Sequence, residues 1–94
     1  MQPYIIKPGE TVSGIGFDFL TRLADGETLI SASASASTGL TVSEVAYLGT
    51  IASATIACAA DQVDADLELV FTVTGTEGSI RKATRPMLVR AVSN

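Results

Sequence analysis

The 94 residues include ten acidic and six basic side chains, a formal charge of −4, and an apolar share of 47% to which few aromatic residues contribute. This length is enough for one domain, and the acidic balance argues against the cationic face that binding to nucleic-acid phosphates requires. Much of the apolar share is alanine, which buries little area at about 25 cal/mol per Å². We therefore expect a thin core that gains stability from neighbours.

Residue types needed for common catalytic and membrane functions are missing. There is no histidine, which removes Ser-His-Asp and Cys-His catalysis and the usual zinc ligand sets. The only cysteine, Cys58, cannot form an internal disulfide, and its apolar surroundings predict a core residue. No run approaches the ~18 apolar residues of a membrane span, and no secretory signal is visible. We expect a protein that is not an enzyme, is made in the cytoplasm and has no cofactor, nucleic-acid or membrane partner.

Residues 1–7 form a short apolar arm in which Tyr4, Ile5 and Ile6 follow one proline and precede another. Because proline lacks a backbone donor and fixes φ, the arm is predicted to be an edge strand or an extended tail. Two interpretations stay open: the arm pairs with its own domain, residues 8–94, or it docks on another subunit. In the second case Tyr4, Ile5 and Ile6 would contact the partner.

Four segments between positions 11 and 60 have the composition of short strands separated by turns: 11–20, 29–37, 40–48 and 51–60. In the first, Gly14 and Gly16 predict a bulge or a close backbone approach. In the second, Ser and Ala alternate from Ser31 to Ser37, so a strand would place hydroxyls on one face and methyls on the other. A helix is the competing interpretation for 17–23 and for the alanine-rich 51–60.

The most regular stretch is a long hairpin from Leu67 to Val92. Apolar residues occupy every second position from 67 to 73, which is typical of a half-buried strand. Gly75 to Gly78 then supplies a turn, and an extended segment follows. Pro86 in that segment predicts an edge position or a bulge. Ile80 has an even number, whereas the later apolar residues Met87 and Val89 have odd numbers. The apolar residues therefore change from one face of the strand to the other, which also indicates a bulge.

About seven short strands, with turns every eight to twelve residues, are the pattern of an immunoglobulin-like antiparallel β-sandwich. The fold class predicted from the residues is therefore all-β, with two sheets packed face to face.

Two groups of charged residues are candidate sites. Arg81, Lys82 and Arg85 lie on the last predicted strand. They either protect an exposed edge from unwanted pairing or complement an acidic neighbour in an assembly.

Asp61, Asp64 and Asp66 form the other charged group, in a loop before the hairpin. They are either solvated or able to hold calcium through carboxylate oxygens. The glycine and the closing glutamate of an EF-hand loop are absent.

Short turn-and-strand motifs run through the chain from Lys7 onward. They are Lys7-Pro8-Gly9-Glu10, Asp18-Phe19, Asp25-Gly26-Glu27-Thr28-Leu29-Ile30-Ser31, Gly39-Leu40-Thr41-Val42, Phe71-Thr72-Val73-Thr74 and the turn Gly78-Ser79-Ile80-Arg81. In these motifs the chain resembles a family of small immunoglobulin-like virion proteins of tailed bacteriophages. It departs from that family in having Phe19 where Trp is frequent, and Cys58-Ala59-Ala60 in place of a Ser-Gly-Gly turn.

This resemblance implies a structural accessory protein of the virion. Such a protein decorates or cements the capsid, or serves as an adaptor that links fibres to the tail. Its expected partners are the major capsid protein or tail and fibre proteins, with homo-oligomers possible within the assembly, and no catalytic residue is implied. The alternative is a carbohydrate-binding or cell-surface immunoglobulin-like module, for which two tyrosines and no tryptophan offer little aromatic platform.

Overall fold

The computed structural model describes residues 3–90. Within that range, seven strands account for most of the chain, and a single 3₁₀ turn at Leu20–Arg22 follows the second strand. The strands are β1 (Tyr4–Ile6), β2 (Thr11–Asp18), β3 (Leu29–Ala36), β4 (Leu40–Leu48), β5 (Ile51–Cys58), β6 (Ala65–Gly75) and β7 (Ile80–Val89). The predicted all-β fold is confirmed.

The strands form two sheets. One has four strands in the order β1-β7-β6-β3, and the other has three in the order β2-β5-β4. Neighbouring strands are antiparallel, except that β1 runs parallel to β7. The two edge strands β3 and β4 follow each other in the chain but belong to different sheets, as in immunoglobulin domains. The structure is therefore an immunoglobulin-like sandwich.

Alternating side chains from both sheets fill the core. On β6, Leu69, Phe71 and Val73 are buried, which confirms the alternation predicted there. The fully buried large side chains of the other elements are Ile6, Phe19, Ile56, Met87 and Val89. Among the described residues, three of the fifteen buried apolar positions are alanines, at 52, 54 and 83.

Strand β3 shows the predicted separation of hydroxyls from methyls. Its serines at 31, 33 and 35 are exposed, whereas the alanines between them are half-buried and pack against the core. Ala32 lies opposite Val73 and Ala34 opposite Phe71 in the register with β6. Small methyl groups therefore lie beside the large residues that fill the interior, and the segment is a strand.

The alanine-rich segment Ile51–Cys58 is also a strand, not a helix. In residues 17–23, the first two end β2 and the helical part is the single 3₁₀ turn Leu20–Arg22, so the predicted helical alternative is wrong apart from that turn. The predicted bulge in β2 is confirmed: the register with β5 shifts between Val12 and Ile15, and Gly14 has a φ of 75°. Only a residue that tolerates positive φ suits that position.

The bulge predicted near Pro86 is wrong, because β6 and β7 pair without interruption from Ala65–Val89 to Thr74–Ile80. The parity change has a different cause: Ile80 lies on the outer face of the sheet, 64% exposed. The Gly75 N–H bonds to the Ser79 carbonyl. Hydrogen-bonded and non-hydrogen-bonded pairs alternate along an antiparallel ladder. Counted from the Gly75–Ser79 pair, the pair of Glu68 with Pro86 is not hydrogen-bonded, so the nitrogen of Pro86 points away from β6.

Pro86 occupies the last position of β7 before β1 begins to pair with it at Met87. The β7 residues up to Pro86 therefore form a sheet edge, as the proline predicted. The strand ends at Val89, and Ala91 and Val92 of the predicted strand lie outside the described residues.

The N-terminal arm pairs within its own domain. Tyr4–Ile6 runs alongside Met87–Val89 of β7, and Ile6 is fully buried in the core. Positions 1 and 2 of the predicted arm lie outside the described residues.

Candidate interaction surface

The described residues, 3–90, enclose no pocket, and no three of their acidic, histidine or cysteine side chains lie close enough to hold a metal ion. Of the two interpretations of Asp61, Asp64 and Asp66, the calcium site is therefore not assembled, and Asp66 pairs with Arg90 at 3.1 Å. In the same part of the chain, no helix has the length and apolar character needed to cross a bilayer.

Exposed apolar side chains concentrate at one end of the sandwich, where β2, β4 and β6 finish and β3, β5 and β7 begin. Of the eight large apolar side chains that are strongly exposed among the described residues, six lie there. We call this surface the apolar end; it comprises Leu20, Ile30, Tyr47, Leu48, Ile51 and Ile80. The other two, Ile5 and Val63, lie elsewhere, Val63 in a loop at the opposite end.

The β4–β5 hairpin forms the tip of the apolar end. A two-residue loop, Gly49-Thr50, joins the strands, and Gly49 has a φ of 63°. Leu48 and Ile51 lie directly opposite each other in the register. Because Ala52 faces the core, Ile51 faces outward with Leu48, which is 85% exposed.

Two neighbouring segments bring further apolar residues to this tip. On one side, the Leu29 N–H donates to the Gly49 carbonyl at 2.8 Å, which places Ile30 beside the hairpin. On the other side, Asp18 lies opposite Ile51 in the register. The Asp18 carboxylate accepts a hydrogen bond from the Leu20 N–H at 2.9 Å and one from the Thr50 hydroxyl at 2.7 Å. The exposed apolar residues on both sides are therefore held against the hairpin.

Three cations lie at the same end and are held together by hydrogen bonds. The Arg81 Nε donates to the Arg22 carbonyl at 2.9 Å, and the Arg22 Nη1 donates to the Lys82 carbonyl at 2.8 Å. The Arg22 guanidinium also lies 4.9 Å from the centroid of the Phe17 ring. The one salt bridge that residues 3–90 form is Arg90–Asp66, so the charges of Arg22, Arg81 and Lys82 are not neutralised by a salt bridge within this range.

The six residues predicted to contact a partner are not brought together. Arg81 and Lys82 are exposed at the apolar end, whereas Ile5 is exposed on the outer face of the four-stranded sheet. Ile6 does not fit the predicted role, because a fully buried core side chain cannot reach a partner.

Arg85 instead joins the two sheets, and Tyr4 packs against Arg85 and against the core. Both are half-buried, and the Arg85 guanidinium lies 5.8 Å from the Tyr4 ring centroid. Arg85 Nη1 donates a 2.9 Å hydrogen bond to the Gly16 carbonyl on β2.

Side-chain hydrogen bonds to strand-edge carbonyls close both sides of the sandwich. Arg22 bonds to Lys82 and Arg85 bonds to Gly16 on one side, and the Tyr47 hydroxyl bonds to the Ile30 carbonyl on the other. An edge carbonyl that already accepts a hydrogen bond is a poorer template for another strand. These hydrogen bonds occupy edge acceptors that an added strand would otherwise use.

The sequence interpretation missed most of the apolar end. For Ile51 a signal was available. Ala52, Ala54 and Ile56 face the core at every second position of the same strand, so Ile51 must face outward. Leu20 and Arg22 had no such signal, because their positions depend on the 3₁₀ turn and on its contacts with β7.

A scan of protein-family models and a search of curated proteins each found no match to this chain.

Proposed function

We propose that this protein is a non-enzymatic structural component of a bacteriophage particle, an immunoglobulin-like accessory subunit that decorates or cements the capsid. The observation that carries the proposal is the apolar end. Exposed apolar side chains gathered at one end of a small domain are typical of a protein–protein contact. The motif resemblance described above supplies the virion as the setting for that contact.

The thin core supports the same proposal. Several of its buried positions are alanines, which contribute little burial energy at about 25 cal/mol per Å². A partner that binds only the folded state stabilises it by mass action. A subunit of this kind would gain from assembly the stability that its interior lacks.

A second candidate is a tail-associated adaptor that links fibres to the tail. The observation that favours it is the presence of exposed apolar residues away from the apolar end, Ile5 on a sheet face and Val63 at the opposite end. An adaptor needs two contact surfaces, whereas a decoration protein needs one.

Quantitative mass spectrometry of purified particles, made from the genome that encodes this chain, tests the proposal. We expect the protein in many copies per particle, and its absence would overturn both candidates. Immunogold labelling of intact particles separates them. Label over the whole head supports capsid decoration, and label confined to the tail supports the adaptor.

A further inference from the structure

We propose that β1 is an exchangeable strand: at high protein concentration two copies of this chain trade Tyr4–Ile6, so that β1 of each copy pairs with β7 of the other. The exchange does not depend on the proposed function, because it follows from how one strand is attached to its own domain. At low concentration the pairing within one chain remains the dominant form. Three features of β1 and of its connection to β2 lead to the exchange.

The first feature is the site that β1 occupies, which fits a short strand with apolar residues at alternate positions. Its backbone side is the edge of β7 at Met87–Val89, and Pro86, which cannot donate a ladder hydrogen bond, lies immediately before that edge. Ile6 is fully buried there, and Tyr4 is half-buried against the core. The segment that fits these positions is β1 itself, so a second copy of the chain supplies an occupant with the same contacts.

The second feature is that β1 can leave without disturbing another ladder. It is the outer strand of the four-stranded sheet, and among the described residues it pairs with β7 alone. The next strand in the chain, β2, belongs to the other sheet and pairs with β5. The β1–β7 ladder has three residue pairs and is parallel, which is the slightly less stable arrangement. Departure of β1 therefore breaks one short ladder and leaves the remaining strands paired.

The third feature is a hinge in the turn Lys7-Pro8-Gly9-Glu10. The Glu10 N–H closes this turn by donating to the Lys7 carbonyl at 3.0 Å. Proline has a fixed φ, and the residue before it is restricted to extended conformations, so Lys7 and Pro8 already suit a straight chain. Gly9 has a φ of 80°. Because glycine also adopts negative φ readily, a change at Gly9 opens the turn and directs β1 away from its own domain.

The balance between the closed and exchanged forms depends on concentration. The contacts of β1 with β7 are the same in both forms, so the forms differ in the turn and in the freedom lost when two chains join. Opening breaks the turn bond and the bond from the Gly9 N–H to the Cys58 carbonyl at 3.0 Å. A short linker keeps β1 near its own β7 at an effective concentration on the order of 1 mM. We therefore expect exchange as the protein approaches that concentration.

The experiment mixes two full-length chains, one with Ile5→Cys and a size tag, the other with Leu88→Cys. Both also carry Cys58→Ala, so each chain has one thiol. Ile5 and Leu88 are direct neighbours across the β1–β7 ladder. The chains are unfolded in urea, refolded together at about 1 mM or at a concentration about a hundredfold lower, and treated with a short bis-maleimide. A denaturing gel measures the covalent heterodimer. In the matched control, Leu48→Cys at the apolar end replaces Ile5→Cys.

We expect at least about tenfold more heterodimer at the higher concentration than at the lower one, and none above background in the control. No heterodimer at about 1 mM, or an equal yield from the control, would overturn the exchange. A single chain that carries both Ile5→Cys and Leu88→Cys should cross-link internally at the lower concentration. Failure to do so would contradict the β1–β7 pairing on which the proposal depends.

Gly9→Ala tests the hinge, with Gly26→Ala as its control. Both glycines have a φ of 80°, and an added Cβ meets only Ala60, at 3.8 Å, in the first case and nothing within 4 Å in the second. Alanine is strained in that conformation, and exchange relieves the strain at Gly9 but not at Gly26. Sedimentation equilibrium should show a dimer association constant raised at least about tenfold by Gly9→Ala, since each dimer opens two hinges. Gly26→Ala should stay within about twofold of wild type, and equal constants for the two variants would contradict the hinge.

Discussion

The Tyr47 hydroxyl, on the edge strand of the three-stranded sheet, donates a 2.7 Å hydrogen bond to the Ile30 carbonyl on the edge strand of the other sheet. One bond thus joins the two layers on the side where β3 and β4 face solvent. It also holds Tyr47 and Ile30 in place within the apolar end.

Tyr47→Phe keeps the ring and removes this bond. We expect the free energy of unfolding to fall by about 1 kcal/mol, the usual net contribution of one hydrogen bond. Urea denaturation measures it. Tyr4→Phe is the control, because the described residues offer the Tyr4 hydroxyl no hydrogen bond. Equal stability of Tyr47→Phe and wild type would show that the bond contributes nothing.

Ile5 and Ile6 provide a matched pair that tests whether β1 belongs to the domain. Ile6 is fully buried and Ile5 is 61% exposed. Ile6→Ala should therefore lower the free energy of unfolding by about 2–5 kcal/mol, whereas Ile5→Ala should change it by less than about 0.5 kcal/mol. Removal of residues 1–7 should destabilise the domain at least as much as Ile6→Ala. A mild effect of Ile6→Ala would mean that β1 detaches readily in solution.

Glu27 is a buried carboxylate that holds two turns together. Its Oε1 accepts from the Ala24 N–H at 3.0 Å and its Oε2 from the Glu77 N–H at 2.8 Å. Glu27→Gln places an amide donor against one of these N–H groups, so we expect a loss of about 1–3 kcal/mol in the free energy of unfolding. Glu77→Gln is the control, because it leaves the accepting carboxylate unchanged.

Gly75 tests the same contact from the other side. A Cβ at this position would overlap the Glu27 carboxylate. Gly75→Ala should therefore destabilise the protein in urea, and it should do so less in the Glu27→Ala background, where the obstructing carboxylate is gone. Additive effects of the two changes would contradict the contact.

Burial raises the pKa of the Cys58 thiol above its ordinary value of 9.0, although a backbone hydrogen bond involving Gly9 acts in the opposite direction. The folded state thus binds the thiol proton more tightly than the unfolded state does. The resulting stability is complete below the unfolded pKa and is lost as pH rises from there through the folded pKa. Urea denaturation across that range should show a steeper fall for wild type than for Cys58→Ala. Parallel profiles would contradict the shift.

The fold was predictable to the extent that local pattern determines it. The alternation from Leu67 to Val73, the Ser/Ala strand and the bulge at Gly14 were all read from spacing or glycine placement, since one buried face imposes a period of two. The Pro86 bulge was wrong because parity was read as if Ile80 were a core residue. At the end of a strand that extends beyond the core, an apolar residue can lie on the outer face, so it does not indicate which face is buried.

The surface was less predictable, because it is assembled by contacts between distant parts of the chain. Leu20, Ile30 and Leu48 come to the same end of the sandwich only once the hairpin and its neighbours are folded. The bond that an arginine makes depends on which carbonyl lies within reach. Arg81 and Arg85 lie on the same strand, yet Arg85 is half-buried and bridges the layers at Gly16, while Arg81 bonds to the Arg22 carbonyl and stays exposed.

The parallel pairing of Tyr4–Ile6 with Met87–Val89 has a consequence for biosynthesis. The first strand leaves the ribosome about 80 residues before the strand that completes it. Until the last strand emerges, Ile6 has no interior to enter, and the nascent chain must keep an uncovered hydrophobic segment from associating with other chains. Folding of this small sandwich therefore cannot finish until the last strand has left the ribosome and paired with the first.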